Sequence, residues 1–176
     1  MGHKIAIELS KKKLVVFLIA GVVFVIIGYL GAVKPECFVS PVFRSQEIIR
    51  VSGIAGVCFF GIGIIFITKK LFDNKPGLII DKFGITDNTN ATSIGLIEWD
   101  DITMVERKQI MSTKFLLLHV KNPEKYIERG KNGISKRAIQ MNFRTYGTPI
   151  SITSNSLKIN FEELEVLITR EFKRSR

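Results

Sequence analysis

The chain has 176 residues, of which 46% are hydrophobic and 24% charged, and it carries a formal net charge of +10. No basic run is interleaved with aromatic residues, so we predict no nucleic-acid partner and assign the excess charge to membrane topology and anionic lipid headgroups. The two histidines and two cysteines have no metal-ligand spacing, and we therefore predict no metal site and no cofactor.

The N-terminal segment is short and basic, and it ends in three lysines directly before an uncharged apolar run at residues 14–33. About 20 helical residues at about 1.5 Å each cross a bilayer core of about 30 Å. A cleaved signal peptide has the same order of charged and apolar residues, but its apolar core is only about 7–15 residues long. The sequence therefore predicts a transmembrane helix that is retained.

A second uncharged run, residues 51–68, is closed by two lysines and follows a loop of mixed charge at residues 34–50. Basic residues are more frequent before the first run and after the second run than in the loop between them. The positive-inside rule then places both termini in the cytoplasm and the loop outside. We predict that residues 1–75 form a transmembrane hairpin, and that Cys37 in the loop and Cys58 in the second span form no disulfide.

Small residues recur in both spans, including the pairs Gly28 with Ala32 and Ser52 with Gly56. Such spacing allows close helix packing, either between the two helices of this hairpin or between copies in a homo-oligomer. Neither span contains a charged side chain, which argues against a transporter or a proton path.

From residue 76 the pattern changes to short apolar runs of period two separated by turn residues, which predicts one small β domain at residues 76–176. The predicted strands are residues 78–81, 85–87, 94–99, 102–110, 114–120, 139–146 and 148–153, with a shorter one at 157–159. Residues 115–118 are continuously apolar, and this favours a central strand for that segment.

Two helices are predicted in this domain. A short one follows Asn122, which can cap it, with Pro123 in its first turn. The second follows Asn160 and carries an apolar stripe that should dock on the sheet. The stripe consists of Phe161, Leu164, Ile168 and Phe172. Between the short helix and the next predicted strand, residues 128–138 contain two glycines and four basic residues, which indicates a mobile basic loop.

Six or seven strands followed by one amphipathic helix resemble a pleckstrin-homology-like (PH-like) barrel. Residues 95–102, Gly-Leu-Ile-Glu-Trp-Asp-Asp-Ile, resemble the end of the third strand in bacterial PH-like domains. With residues 76–81, 84–87, 146–150 and 156–159, the chain resembles a family of small bacterial membrane proteins that have two N-terminal spans, a cytoplasmic PH-like domain and no assigned function.

The resemblance implies an α+β fold in the bacterial inner membrane, in which the two-helix hairpin precedes a PH-like antiparallel β-barrel or sandwich capped by a C-terminal α-helix. It supplies no catalytic residue.

Glu98, Asp100 and Asp101 are a tight acidic cluster that suggests metal binding or general acid–base work. The alternative is a turn with solvated carboxylates, which we favour because strand alternation directs Glu98 away from Ile97 and toward solvent. Trp99 is expected to fill the core rather than to form a ligand platform. Since no nucleotide-binding, nucleophile or metalloprotease motif occurs, we predict that the chain is not an enzyme.

The candidate contact with anionic phospholipid is the basic stretch between residues 121 and 144, in a domain that begins only a few residues after Lys70 and is therefore expected within reach of an anionic leaflet. Its members are Lys121, Lys125, Arg129, Lys131, Lys136, Arg137 and Arg144. At about 1 kcal/mol per basic residue near an anionic surface, several of them would orient a tethered domain. The alternative is a solvated loop that only keeps the domain soluble.

The predicted function is therefore a membrane-anchored binding or scaffold protein whose domain is held at the inner leaflet. A competing hypothesis is an adaptor or immunity-type protein, whose domain binds a protein or peptide partner by strand addition to a sheet edge.

Overall fold

The computed structural model of the chain describes residues 4–41, 44–89, 93–130 and 133–176. The chain divides into two compact units. One is residues 11–74, and the other combines residues 4–10 with the chain from residue 75 onward. The hairpin was predicted to include residues 1–75. Residues 4–10 fold with the β domain instead, so that part of the prediction is corrected.

The smaller unit is a pair of long apolar helices, α1 (Lys11–Val33) and α2 (Gln46–Leu71), with a 3-10 turn at Pro35–Phe38 between them. Both helices are long and apolar enough to cross a membrane, with mean hydropathy of 2.8 and 2.2 over their most apolar windows. Helix α2 begins earlier than the predicted span, because the Ser45 hydroxyl caps it by accepting the Ile48 N–H at 3.4 Å.

Glycine backbones bring the two helices together in an antiparallel pair. A Cβ atom on Gly53 would lie 2.5 Å from the Gly28 carbonyl oxygen, so only glycine permits this approach. The rings of Phe24 and Phe60 stack nearby, with 4.6 Å between their centroids. Gly56, in contrast, has open space where a side chain would be, so the small residues pack the hairpin at Gly28 and Gly53 but not at every predicted position.

The first sheet of the larger unit has the strand order β1-β2-β3-β4, with every neighbouring pair antiparallel. Its strands are β1 (Ile5–Ile7), β2 (Leu78–Ile80), β3 (Gly84–Asp87) and β4 (Gly95–Glu98). Strand β1 precedes the apolar hairpin in the chain, while β2, β3 and β4 follow it.

The N-terminal segment folds onto this sheet because its apolar residues alternate. Ile7 and Leu9 are buried, and the residue between them, Glu8, is exposed. Leu9 forms an isolated β-bridge with Leu157, and the Lys158 N–H donates to the Glu8 carbonyl at 2.9 Å. The strand predicted at residues 157–159 is reduced to this bridge.

The second sheet has the strand order β5-β6-β7, from β5 (Ile102–Ile110), β6 (Thr113–Val120) and β7 (Ile150–Ile152). Strand β6 is central, as its continuous apolar run predicted. Leu116, Leu117 and Leu118 are all almost completely buried, which requires cover on both faces of the strand.

Helix α4 (Gly133–Tyr146) supplies that cover on one face, since the ring of Tyr146 stacks on Phe115 with 6.2 Å between centroids. The strand predicted at residues 139–146 is therefore wrong, and the loop predicted at 128–138 is wrong over residues 133–138. Ser135 and Ile139 are buried one helical turn apart, which is a helical repeat and not a period of two. The preceding helix α3 (Pro123–Glu128) is confirmed, with the Asn122 side chain accepting the Lys125 N–H.

Helix α5 (Phe161–Arg174) is also confirmed, and the Asn160 side chain accepts the Glu163 N–H at 2.8 Å as its N-cap. Phe161, Leu164 and Ile168 are its buried residues. The chain thus has the predicted α+β class, with two apolar helices, two antiparallel sheets whose strands follow the helices except for β1, and a C-terminal helix.

Candidate functional site

The seven basic residues proposed from the sequence do not lie on one loop. Lys121 is exposed at the end of β6, and Lys125 and Arg129 lie on and just after α3. Lys136, Arg137 and Arg144 are exposed on α4. Lys131 lies outside the described residues. The basic residues of the candidate surface therefore lie on different elements and have different neighbours.

The members on α3 belong to an internal polar network around Tyr126, whose side chain is fully buried. The Tyr126 hydroxyl oxygen lies 2.6 Å from Glu98 Oε2 and 2.7 Å from Asp101 Oδ2. Its single proton serves one carboxylate at a time, and its oxygen also accepts the Glu98 N–H at 3.3 Å. The hydroxyl thus joins α3 to the end of β4 and to the turn that follows it.

Two cations complete the network. Lys125 Nζ lies 2.5 Å from Asp101 Oδ2 and 3.2 Å from Glu98 Oε1. The Arg129 guanidinium lies 3.0 Å from Glu98 Oε1 and donates to the Leu96 carbonyl on β4. Lys125 and Arg129 are consequently held by carboxylates of their own domain, and Glu98 is not the solvated carboxylate that strand alternation predicted. Glu98 does point to the outward face of β4, but α3 packs on that face and brings its cations to the carboxylate.

The network determines the ionisation of its carboxylates. Partial burial acts to raise the pKa of Glu98, but hydrogen bonds from Tyr126, Arg129 and Lys125 outweigh it and lower the pKa to about 2. Hydrogen bonds from Lys125 and Tyr126 likewise lower the pKa of Asp101. Burial and the two carboxylates raise the pKa of Tyr126. All three groups are therefore fixed in one charge state near neutral pH, which suits a structural role better than proton transfer.

Helix α4 presents a different surface, on the side that faces away from the sheet. Ile134, Arg137, Met141 and Arg144 follow at i, i+3, i+7 and i+10, which places them in one stripe along the helix. Ile134 is 82% exposed and Met141 61% exposed. Neither arginine forms a salt bridge with another described residue. The stripe therefore alternates exposed apolar and unpaired basic side chains, and we call it the α4 stripe.

A shallow groove of about 310 Å³ runs between α3 and α4, beside the α4 stripe. It is lined by Glu124, Ile127, Glu128, Lys136, Gln140, Phe143 and Arg144. Its two carboxylates and two cations give it mixed charge, so it has no strong preference for an anion or a cation.

Trp99 is buried, and its indole N–H donates to the Asp81 carbonyl at 2.8 Å, as expected for a core residue. His119 pairs with Glu106 at 2.8 Å across β5 and β6. Among the described residues, no group of three or more His, Cys, Asp or Glu side chains is arranged to hold a metal ion.

The sequence reasoning missed Tyr126, Ile134 and Met141. The signal for the last two was present in the i, i+3, i+7 spacing, but the strand assignment of residues 139–146 concealed it. No family model matches the chain, and comparison with curated proteins and with solved structures also gives no match.

Proposed function

We propose that the chain is a two-span protein of the bacterial inner membrane, and that its PH-like domain is a non-catalytic module that binds anionic phospholipid at the cytoplasmic leaflet. The observation that carries the proposal is the pair of exposed, unpaired arginines on α4, Arg137 and Arg144, in a domain into whose sequence an apolar helix pair is inserted between residues 10 and 75.

The membrane part rests on the surfaces of α1 and α2. Only 11% and 6% of the residues in their most apolar windows are buried, which is too little for core helices of a soluble domain. An apolar surface of that extent needs a lipid environment.

Strand pairing supports both flanks of the hairpin being on one side of the membrane. Strand β1 precedes α1, and its partner β2 follows α2. Paired strands cannot lie on opposite sides of a bilayer, so a hairpin that crosses twice satisfies the pairing. The lysines that flank the spans favour the cytoplasmic side.

The lipid contact follows from charge. At about 1 kcal/mol per basic residue near an anionic surface, Arg137 and Arg144 together favour the docked state by a factor of about 30. Glu124 and Glu128 in the adjoining groove reduce this factor. Lys125 and Arg129 add little, because docking would have to compete with Glu98 and Asp101 for them.

The test uses the full chain in lipid nanodiscs with and without phosphatidylglycerol. Arginine side chains are modified with a water-soluble dicarbonyl, and the rates at Arg137 and Arg144 are compared with that at Arg174, an exposed control on α5. We expect slower modification of the two α4 arginines only in anionic nanodiscs, and a smaller difference at about 1 M salt, where the Debye length is about 3 Å. Equal rates in anionic and neutral nanodiscs would refute the lipid contact.

Sidedness is tested separately with the native Cys37, which is exposed in the segment between the helices. An impermeant maleimide should label Cys37 in intact bacterial cells, but should label a Ser175→Cys variant that also carries Cys37→Ser and Cys58→Ser only after permeabilisation. The reverse pattern would place the domain outside the cell.

The competing adaptor hypothesis is disfavoured at one sheet edge, that of β4. Strand addition needs free backbone groups along a sheet edge. At the edge strand β4, the Leu96 carbonyl is occupied by Arg129 and the Glu98 N–H by Tyr126. A peptide could pair with β4 only after α3 was displaced.

A further inference from the structure

We infer that the α4 stripe inserts its apolar side chains into the bilayer, so that α4 is an interfacial membrane helix within a folded domain. The inference rests on the proposed function, since it needs the anionic leaflet as the docking surface. It adds that Ile134 and Met141 pass below the headgroups while Arg137 and Arg144 remain among the phosphates.

Two apolar side chains of the α4 stripe are exposed to solvent. Ile134 and Met141 are two turns apart on the face opposite buried Ile139, and they are 82% and 61% exposed. Single exposed apolar residues are ordinary on a soluble surface. Here the two lie on one helical stripe, and their side chains reach solvent while the opposite face of α4 is used against the second sheet.

The two arginines of the α4 stripe alternate with these apolar residues. Arg137 lies between Ile134 and Met141 on the stripe, and Arg144 follows one turn after Met141. Long arginine side chains can extend to the phosphate level while their apolar neighbours lie deeper. The alternation of apolar and cationic side chains is the pattern of an interfacial helix, whose binding combines apolar burial with attraction to anionic lipid.

An anionic leaflet matches the α4 stripe better than an acidic protein surface does. An acidic protein partner would match the arginines, but it would offer no apolar layer beneath a charged one. An anionic leaflet offers both, and the same chain carries two helices that are long and apolar enough to lie in a bilayer. The stripe therefore matches lipid in both charge and depth.

The test measures depth at position 134 in the full chain. An Ile134→Cys variant, with Cys37→Ser and Cys58→Ser, is labelled with a fluorophore and reconstituted in nanodiscs whose lipids carry nitroxide quenchers at shallow or deep acyl positions. The matched control is Val166→Cys on α5, because Val166 is also an apolar helical residue and is 66% exposed. We expect the shallow nitroxides to quench the label at position 134 in anionic nanodiscs only. The label at position 166 should not be quenched in either kind of nanodisc.

A second variant separates insertion from charge. In the unlabelled chain at about 1 M salt, apolar insertion should leave some protection of Arg137 and Arg144 after electrostatic attraction has been screened. The double variant Ile134→Ser with Met141→Ser should lose that residual protection, and Val166→Ser should keep it.

The outcomes distinguish the two proposals. Arginine protection without quenching at position 134 would overturn insertion and leave the lipid contact standing, whereas loss of both would overturn both. A label at position 134 that is shielded from aqueous quenchers but not reached by lipid nitroxides would mean that protein covers the stripe, and this too would overturn insertion.

Discussion

Ala6 and Ile79 are direct partners in adjacent antiparallel strands, although both apolar helices lie between them in the chain. The β domain is therefore discontinuous in sequence, and its edge strand comes from the segment before the hairpin. A protein expressed from residue 76 onward would lack this strand and expose the apolar face that Ile7 and Leu9 cover.

The contribution of β1 can be measured by truncating one buried side chain. Ile7→Ala should lower the free energy of unfolding of the domain by about 2 kcal/mol, because it leaves a cavity beside Leu78, its partner on β2. The control is Ala6→Ser on the exposed side of the same strand, which should change it by less than about 0.5 kcal/mol. Unfolding in detergent can be followed by the fluorescence of Trp99, the single tryptophan. Equal effects of the two changes would show that β1 does not contribute to the core.

The Tyr126 hydroxyl should be important for stability, because it is the group that meets both Glu98 and Asp101 inside the domain. Tyr126→Phe should reduce the free energy of unfolding by about 1.5–3 kcal/mol, the net contribution of a hydrogen bond to a charged group. Tyr146→Phe is the matched control, since Tyr146 contributes its ring to the stack on Phe115. The same Trp99 fluorescence assay measures both, and a loss that is no larger for Tyr126→Phe would contradict the role of the network.

The network also predicts acid sensitivity. The pKa of Glu98 is about 2 in the folded domain and about 4.3 in an unfolded chain, so the folded state favours the ionised carboxylate. Its contribution to stability is present above about pH 4.3 and is lost as the pH falls toward 2. Urea unfolding between pH 5 and pH 2 should therefore show a decline that is shallower in Glu98→Gln.

The control for the acid series is Asp100→Asn, because Asp100 is exposed on the same turn as Asp101. It should retain the wild-type slope with pH. If Glu98→Gln and the wild type declined in parallel, the ion pairs of Glu98 would not be the source of the acid sensitivity.

Elements that are specified by their own residues could be predicted from the sequence. Helix α5 has its N-cap at Asn160 and a single apolar stripe, and β6 has a continuous apolar run, so each carries its own signal. The errors occur where a segment is defined by what it packs against. Strand β1 has only a short alternation, at Ile5, Ile7 and Leu9, and it becomes a strand because β2 offers an edge.

Contacts between distant segments also explain why the candidate site could not be fully predicted from the sequence. The sequence identified basic residues by charge, but charge alone cannot separate Arg129, which pairs with Glu98, from Arg137, which has no carboxylate within salt-bridge distance among the described residues. That separation depends on α3 packing against β4, a contact between segments about 30 residues apart. The apolar members of the α4 stripe were missed because residues 139–146 were assigned to a strand, whose period of two hides a helical face.

The hairpin offers a last prediction, in which one glycine is essential for packing and another is not. A Cβ on Gly53 would lie 2.5 Å from the Gly28 carbonyl and 2.7 Å from the Ala32 nitrogen, and both contacts are with backbone that cannot rotate away. Gly53→Ala should therefore force α1 and α2 apart and destabilise the pair by about 1–3 kcal/mol, as other overpacked interfaces are destabilised.

Gly61→Ala is the matched control, because position 61 lies in the same helix and has open space for a methyl group. Thermal stability of the purified chain in detergent, measured by size-exclusion chromatography after heating, should fall for Gly53→Ala and remain unchanged for Gly61→Ala. If thermal stability fell for Gly61→Ala and not for Gly53→Ala, position 61 would contact another copy of the chain. The close approach of α1 and α2 at Gly53 would then not be important for stability.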